Sequence, residues 1–214
     1  MSDAVGIAVV EQFSTEDQQR RASMLGMWIW LATELLLFAG LFLVATILRL
    51  THPASVVAAA RHLKFWIGAT NTLILICSSL TMSGAIMTSR LGWQRAMIRC
   101  MLVTAALGSA FLVLKGYEYY QDYVEHMTPF LHRPYALQGD AASILYIDLY
   151  FLATALHGLH LTTGVAIMLG LARQASAPGY LHRHQNRIEV YGLYWHFIDL
   201  IWIIVFSLLY VINR

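Results

Sequence analysis

Five apolar runs, each about as long as a membrane-spanning helix, dominate the sequence. Of the 214 residues, 58% are hydrophobic and only 12% are charged, which leaves too few polar side chains to cover a soluble globule. Polar stretches that contain proline or glycine separate the runs. The pattern predicts an all-α integral membrane protein in which a polar segment, 1–23, precedes a membrane domain, 24–214, with five transmembrane helices at about 24–48, 65–88, 97–117, 142–171 and 190–212.

The Lys and Arg residues are shared unequally between the two sides of the five spans. Of these 14 residues, eight lie on the side of the N-terminus and six on the opposite side. Cytoplasmic loops carry the excess of Lys and Arg, and the two short loops, where this rule works best, show the same sense. We therefore predict a cytoplasmic N-terminus, which makes 1–23 a cytoplasmic segment, and a C-terminus outside.

The loop after the third predicted span is the most acidic, and this orientation places it outside. An ordinary solvated loop is the simplest interpretation, and a contact surface for a basic partner is the alternative. The acidic residues are Glu118, Asp122, Glu125 and Asp140, against Arg133.

Glu34 is the only ionisable residue between Met24 and Leu48 and lies near the middle of that run. A charged carboxylate facing lipid at this depth costs several kcal/mol, so it should be protonated, paired or turned towards other helices. Buried acids of this kind are usually functional. The simpler alternative is that Glu34 only hydrogen-bonds two helices together.

Further polar residues lie at overlapping depths in the fourth and fifth predicted spans. His157 and His160 are three residues apart, as are His196 and Asp199, so each pair projects from one side of its helix. Burial at a common depth would let each group find a partner. The spacing therefore predicts a polar layer in the middle to inner part of the bilayer, formed by Glu34, His157, His160, His196 and Asp199.

These histidines do not follow a metal-binding pattern. His157 and His160 lack the i, i+4 spacing and the intervening Glu of a zinc-protease helix, and no Cys lies nearby. Spacing alone does not distinguish axial haem ligands, but hydrogen bonds to neighbouring helices explain the histidines more simply. The sequence also lacks a nucleophile motif, a phosphate-binding loop and a basic run interleaved with aromatics. We predict no catalytic residue, no metal site and no nucleic-acid partner.

Five motifs, one for each span, carry a family resemblance. They are ATELLLFAG from Ala32, NTLILICSS from Asn71, KGYEYY from Lys115, FLATALHGLHLTTG from Phe151 and YWHFIDLIW from Tyr194. Each is a weak signal alone, whereas five in this order are specific. Over nearly everything after residue 24, the chain closely resembles subunit III of the haem-copper respiratory oxidases.

The resemblance implies a role in a larger complex. Subunits of this family are all-helical, bind no haem or copper themselves, and pack against the catalytic subunit, where they hold lipid and protect proton uptake and turnover. The implied partners are subunit I and subunit II, which carry the haem and copper, together with membrane lipids that include structural phospholipid. The complex would reduce oxygen in a bacterial inner membrane, with cytochrome c or a quinol as electron donor.

The family motifs also mark individual residues. Glu34 matches the family's buried carboxylate, and Thr33 keeps a hydroxyl where the family has Ser. His157 and His160 match HGLH, and the WHF-x-D motif begins at Trp195. His196 and Asp199 complete that motif, and the residues expected to pack helices or face lipid are Thr33, Asn71, Glu118, Trp195 and Trp202.

The sequence departs from the longer family members by lacking two helices before the span that carries Glu34. One wall of the family's lipid cleft would then come from other subunits. Glu rather than Asp at position 34 favours cytochrome c as the donor, and the acidic third loop points the same way. The alternatives are a quinol oxidase subunit, a homologue associated with nitric oxide reductase and, more remotely, a proton-coupled transporter, which would predict repeats or broken helices.

Overall fold

All regular structure in residues 15–129, 140–177 and 180–211, the parts of the chain described by this computed structural model, is helical. Five of the helices are long and apolar enough to cross a membrane, which confirms the predicted all-α fold with five transmembrane helices. A π-helical segment, Ser207–Val211, continues the last helix. The helices are α1 (Glu16–Thr51), α2 (Pro53–Ala60), α3 (Phe65–Arg90), α4 (Gln94–Val124), α5 (Ala141–Gln174) and α6 (Tyr180–Phe206).

Several helices extend beyond the apolar runs that predicted them. Helix α1 begins at Glu16, inside the segment 1–23, because the Thr15 side chain caps it by accepting a hydrogen bond from the Gln18 N–H at 3.2 Å. Helix α6 begins ten residues before the predicted position 190. Hydropathy marks only the part of a helix that lies in lipid, whereas capping and polar turns carry the helix further.

Helix α2 was not predicted, since its first residue is a proline. Pro53 occupies the first turn, where its missing N–H would have had no intrahelical partner, so here it starts a helix instead of marking a loop. Val56, Ala59 and Ala60 bury the inner side of α2 against the bundle. We refer to this end of the molecule as the α2 end, and to the opposite end as the α1-start end.

The bundle has a tight core and one looser member. Helices α3 and α4 pack most closely, and the turn between them contains Gly92 with a φ of 76°, a left-handed conformation that glycine adopts without strain. Helix α6 packs against α3 and α5, and α4 packs against α5. Helix α1 rests on α5 and α6 with fewer close approaches and leaves most of its apolar surface exposed.

Trp195 lies at the centre of this core, completely buried. Its indole N–H donates to Ser78 Oγ on α3 at 3.1 Å. The ring lies against two glycines: a Cβ atom at Gly108 on α4 would come within 2.9 Å of it, and one at Gly164 on α5 within 3.2 Å. One side chain of α6 therefore joins three other helices, and the glycines provide the space for it.

Candidate functional site

The structure brings Glu34 and His160 together. Glu34 belongs to the inward stripe of α1, which also contains the buried residues Leu31 and Phe38. His160 Nε2 lies 3.0 Å from Glu34 Oε2, although the ring nitrogen is not well aligned for a hydrogen bond with this oxygen. Both side chains are about one-sixth exposed, so the pair lies at the edge of the bundle.

The second ring nitrogen of His160 bonds within its own helix. Nδ1 lies 2.7 Å from the carbonyl oxygen of Leu156, and because a carbonyl can only accept, Nδ1 must carry a hydrogen. Nε2 is therefore the ring nitrogen that faces the Glu34 carboxyl. A buried carboxyl and an imidazole at this distance are the kind of polar contact that joins helices in a membrane.

The depth of the pair follows from the geometry of α1. Glu34 is fourteen residues from Arg20 and fifteen from Arg49, or about 21 and about 23 Å along the helix. Arg20 donates to Glu189 at 2.8 Å at the α1-start end, and Arg49 lies in the last turn of α1. Glu34 is therefore midway between the two charged ends of its helix.

His196 and Asp199 lie elsewhere, between α3 and α6. His196 Nδ1 is 2.7 Å from Ser79 Oγ, and its Nε2 is 3.4 Å from Ser83 Oγ. Asp199 is buried one turn further along α6. The Ser79 hydroxyl lies near the Asp199 carboxyl, but neither carboxyl oxygen accepts a hydrogen bond of good geometry from a described residue. Ser79 instead pairs with His196.

His157 points away from His160 into the core. Its ring packs edge-on to Phe111 at 5.4 Å and against Trp202 at 5.0 Å, and neither ring nitrogen has a hydrogen-bond partner among the residues described. Residues three apart on a helix differ by about 60° around its axis, enough to place His157 inside and His160 at the edge. The predicted polar layer is thus divided into three parts, and among the described residues the His157 nitrogens and the Asp199 oxygens have no hydrogen bond of good geometry.

A buried ionic cluster, absent from the predicted layer, lies near the α2 end. Lys115 uses all three ammonium hydrogens: it donates to Glu118 Oε2 at 2.9 Å, Tyr150 OH at 2.9 Å and Tyr210 OH at 2.8 Å. Both phenols in turn donate to Glu118 Oε1, at 2.9 and 2.8 Å. The Lys115 ammonium also lies 5.6 Å from the Trp202 ring. We call Lys115, Glu118, Tyr150 and Tyr210 the lysine cluster.

The lysine cluster is connected to the molecular surface through two further residues. Tyr150 OH lies 3.5 Å from Asp122 Oδ2, and Asp122 Oδ1 lies 3.4 Å from Lys64 Nζ. Lys64 is also 3.0 Å from the exposed Glu125. These Lys64 contacts are ion-pair distances and not aligned hydrogen bonds. Charged and hydroxyl groups therefore lead from the surface to the core.

The prediction of a solvated acidic loop is wrong for Glu118 and Asp122. Helix α4 continues to Val124, seven residues past the predicted 117, and both acids are buried on it. Asp140 caps α5, and its hydrogen bond from the Ser143 side chain holds the pKa of this exposed carboxyl below its usual value. Arg133 lies outside the described residues. The missed signal is the spacing: Lys115, Glu118 and Asp122 continue the buried stripe of α4 that begins at Met97.

The remaining motif residues have separate surroundings. Thr33 donates to the Trp30 carbonyl of its own helix, on an exposed face. Asn71 is completely buried, and its amide has no hydrogen-bond partner in the part of the chain that the structure covers. Trp202 donates its indole N–H to Thr72 Oγ1 at 3.0 Å. Within the described ranges, no group of three or more His, Cys, Asp or Glu could hold a metal ion.

A groove of about 430 Å³ opens between α1, α5 and α6 towards the α1-start end. Its wall is almost entirely apolar or aromatic, with Asn186 and Arg187 as its polar members at one end. Next to it, Glu189 accepts from Arg20 on α1 and from Arg90 on α3, at 2.8 and 2.9 Å. The apolar lining is Met27, Trp30, Ile167, Leu171, Val190, Tyr191 and Tyr194, with hydroxyls from Ser23 and Thr163.

The family model of cytochrome c oxidase subunit III matches residues 14–213, almost the whole chain. The chain belongs to the cytochrome c oxidase subunit III family. The predicted family is therefore confirmed, and the protein is a subunit III of the haem-copper oxidase type. As a subunit of a respiratory oxidase, it works in a complex with other subunits.

Full-length relatives support this membership. The chain is 29% identical over 213 residues to a cytochrome c oxidase subunit 3 of Thermostichus vulcanus, which covers 99% of this chain and 97% of the relative. It is 27% identical to a probable cytochrome c oxidase subunit 3 of Mycobacterium leprae, over 98% and 96% of the two chains. A cytochrome bo(3) ubiquinol oxidase subunit 3 of Buchnera aphidicola is 26% identical over 91% and 96%. The family match favours the cytochrome c oxidase type over the quinol oxidase alternative.

The Glu34–His160 pair makes a prediction about chemical modification. A hydrophobic carbodiimide reacts with carboxylic acids that it can reach from the lipid, and Glu34 lies within a membrane span with an exposed edge. We expect labelling of the subunit to be lost in Glu34→Gln and retained in Asp199→Asn, whose carboxyl is buried inside the bundle. Mass spectrometry of labelled peptides measures the extent of labelling in each variant. Unchanged labelling in Glu34→Gln would contradict the assignment.

Proposed function

We propose that this chain is the non-catalytic subunit III of a bacterial cytochrome c oxidase. In this proposal it spans the inner membrane with its N-terminus in the cytoplasm, and it packs against subunit I and subunit II, which carry the haem and copper that reduce oxygen. The Glu34–His160 contact is the observation that carries the proposal. It lies midway along a spanning helix, at the edge of the bundle, and within the described residues it belongs to no cluster of three or more possible metal ligands.

The exposed surface of α1 favours a structural role for the Glu34–His160 pair. Helix α1 contacts α2, α5 and α6, while apolar residues such as Trp28, Leu36 and Leu43 remain exposed. A surface of this kind is covered by lipid or by another subunit in the membrane. Glu34 and His160 therefore lie where α1 joins the bundle, beside a surface that partners can reach. We infer that the pair fixes α1 in position for them.

The same proposal assigns a supporting role to the other polar residues of the predicted layer. His196, with Ser79, links α6 to α3, and Asp199 lies one turn beyond it. His157 fills the aromatic core between α4, α5 and α6. None of these groups forms a continuous path with Glu34. Their arrangement supports helix packing, and through it the shape of the proton entrance in the catalytic subunit, more than an obligatory proton relay through this chain.

Turnover experiments on the purified complex test this role. In Glu34→Ala, which removes the neighbour of His160, and His196→Leu, which removes the partner of Ser79, we expect the initial rate of oxygen reduction with reduced cytochrome c to persist, while activity decays faster over repeated turnovers. Loosened packing explains this result, since each orphaned buried polar group costs about 1–3 kcal/mol. Oxygen consumption recorded from the first turnovers onward separates initial rate from decay.

Thr33→Ala is the matched control, because the Thr33 hydroxyl bonds only to its own helix. It should reproduce the wild-type decay. An immediate loss of more than about tenfold in Glu34→Ala, roughly 1.4 kcal/mol of barrier, would instead establish an obligatory proton relay. A complex that oxidises quinol and not reduced cytochrome c would establish the quinol alternative.

We also propose that the groove between α1, α5 and α6 holds a structural phospholipid. Its apolar wall suits acyl chains, and Arg187 at one end suits the phosphate. Ile167→Trp, which fills the groove, should remove one phospholipid from the complex in native mass spectrometry. Leu159→Trp places the same residue at an exposed position of α5 away from the groove and should leave the lipid count unchanged. Equal lipid counts in both variants would contradict this proposal.

A further inference from the structure

Titratable and hydroxyl groups follow one another without a break from the surface at the α2 end to the centre of the bundle. Lys64 lies 3.0 Å from Glu125 and 3.4 Å from Asp122. Asp122 is 3.5 Å from the Tyr150 hydroxyl, which is 2.9 Å from Glu118. From Glu118 the contacts lead to the Tyr210 hydroxyl and the Lys115 ammonium.

Exposure falls steadily along this series. The side chain of Glu125 is 51% exposed and that of Lys64 is 21% exposed, whereas Asp122 is at 7% and Glu118 at 1%. Tyr210, at the inner end, is buried as well. The series therefore begins in contact with solvent and ends in the interior of the bundle.

The inner end of the series is closed by aromatic rings. Trp202 lies 5.6 Å from the Lys115 ammonium on one side and 5.0 Å from the His157 ring on the other. Phe111 packs edge-on to Trp202 at 4.7 Å. Beyond these rings the His157 nitrogens have no hydrogen-bond partner within the described part of the chain. The series is therefore open at the α2 end only.

The ion pair of Lys115 and Glu118 can be buried without Asp122 and Lys64. Lys115 already has three acceptors, and Glu118 accepts from Lys115 and from both phenols, so the lysine cluster is complete by itself. Asp122 adds no partner that Lys115 needs. Its position instead connects the completed cluster to Lys64 and the surface.

We propose that Asp122, Tyr150, Glu118 and Tyr210 form a proton half-channel, through which the interior of the bundle exchanges protons with the aqueous phase at the α2 end. This inference goes beyond the proposed function and does not depend on the electron donor. The half-channel stops at Trp202 and Phe111, so it stores and exchanges protons without conducting them across the membrane.

Each step of the exchange is balanced. A hydronium ion at the surface protonates the Asp122 carboxylate and leaves water. The Tyr150 oxygen then takes this proton from Asp122 while its own hydroxyl proton moves to Glu118 Oε1. Tyr150 is unchanged, Asp122 is again a carboxylate, and Glu118 has become the acid. Tyr210 then exchanges in a ring of three groups: the Glu118 acid proton passes to the Tyr210 oxygen, the Tyr210 hydroxyl proton passes to the Tyr150 oxygen 3.3 Å away, and the Tyr150 hydroxyl proton returns to Glu118 Oε1. The reverse sequence returns the proton to water.

Deuterium exchange at Tyr210 in the purified complex tests the proposal. The infrared band of the Tyr210 phenol is assigned by subtracting the spectrum of Tyr210→Phe, and its shift after mixing with D₂O gives the exchange rate. We expect wild-type exchange within seconds. In Asp122→Leu, which interrupts the series, exchange should be slower by at least about tenfold.

Two further variants make the result decisive. Asp122→Asn keeps the size of the side chain but has no carboxyl to carry the proton, so it should also slow exchange, and it replaces Asp122→Leu if that variant fails to assemble. Asp199→Asn changes a buried acid outside the series and should have no effect. The amide II band in the same spectra reports any loosening of the helices. Wild-type exchange over hours, or equal rates in wild type and Asp122→Leu, would overturn the half-channel.

Discussion

Lys115→Met should destabilise the subunit by about 3–5 kcal/mol, the usual effect of removing one partner from a buried ion pair. The substitution keeps the length of the side chain but leaves the Glu118 carboxylate without its cation, in a place where its exposure is 1%. The two phenol hydrogen bonds to Glu118 remain, and they do not neutralise its charge. Unfolding in mixed detergent micelles, followed by circular dichroism, measures the change.

Two controls define the source of this loss. Lys64→Met removes a cation of the same type whose side chain is 21% exposed, and it should cost less than about 1 kcal/mol. The double variant Lys115→Met, Glu118→Leu removes both charges and should recover much of the stability, because an apolar pair can replace a buried ion pair. If Lys115→Met were as mild as Lys64→Met, the pair would contribute little to the bundle.

Trp195→Ala should be comparably damaging, at about 3–5 kcal/mol. The indole is completely buried, bonds to Ser78 on α3 and fills the space beside Gly108 and Gly164. Its removal leaves a cavity at the junction of four helices and the Ser78 hydroxyl without this donor. The same unfolding measurement applies, with Trp66→Ala as the control, since Trp66 is 77% exposed. Equal losses in the two variants would contradict the central role of Trp195.

A pair of glycines on α4 tests the same contact from the opposite side. Gly108→Ala would place a methyl group 2.9 Å from the rigid Trp195 ring and should cost about 1–3 kcal/mol. Gly116→Ala is the same change eight residues later, in open space, and should stabilise the helix by up to about 1 kcal/mol. The opposite signs separate a packing effect from helix propensity.

The sequence was sufficient to find the five spans, because lipid imposes long apolar runs that local composition records directly. It located helix ends poorly. The cap at Thr15 and the polar turns of α4 after Tyr117 lie outside the apolar runs, so the hydropathy pattern does not show that they are helical. Family motifs identified Glu34 and His160 as candidates. Their contact depends on how α1 packs on α5, and no pattern along the sequence specifies this packing.

The lysine cluster was missed for a different reason. The sequence analysis places Glu118 and Asp122 among the charges of an acidic loop, since charge is normally a sign of solvent, and Lys115 at the end of the third predicted span. Their spacing of three and four residues, in register with the apolar stripe of α4, was the contrary signal. Tyr150 and Tyr210, whose hydroxyls form hydrogen bonds with the buried charges of α4, are distant in the sequence. Their hydroxyls could not be assigned as partners before the helices were placed together.

The loose seating of α1 has a consequence for how the protein is made. Lipid supplies no hydrophobic drive between helices, so α1 is held by Arg20 with Glu189 and by Glu34 with His160, and both partners come from the last two helices to be synthesised. We expect α1 to wait in the bilayer until the chain is nearly complete. Cysteine pairs across α3–α4 should therefore crosslink earlier during translation than pairs across α1–α6, and simultaneous crosslinking would refute this. Of the helices described, the first in the chain would be the last to join the bundle.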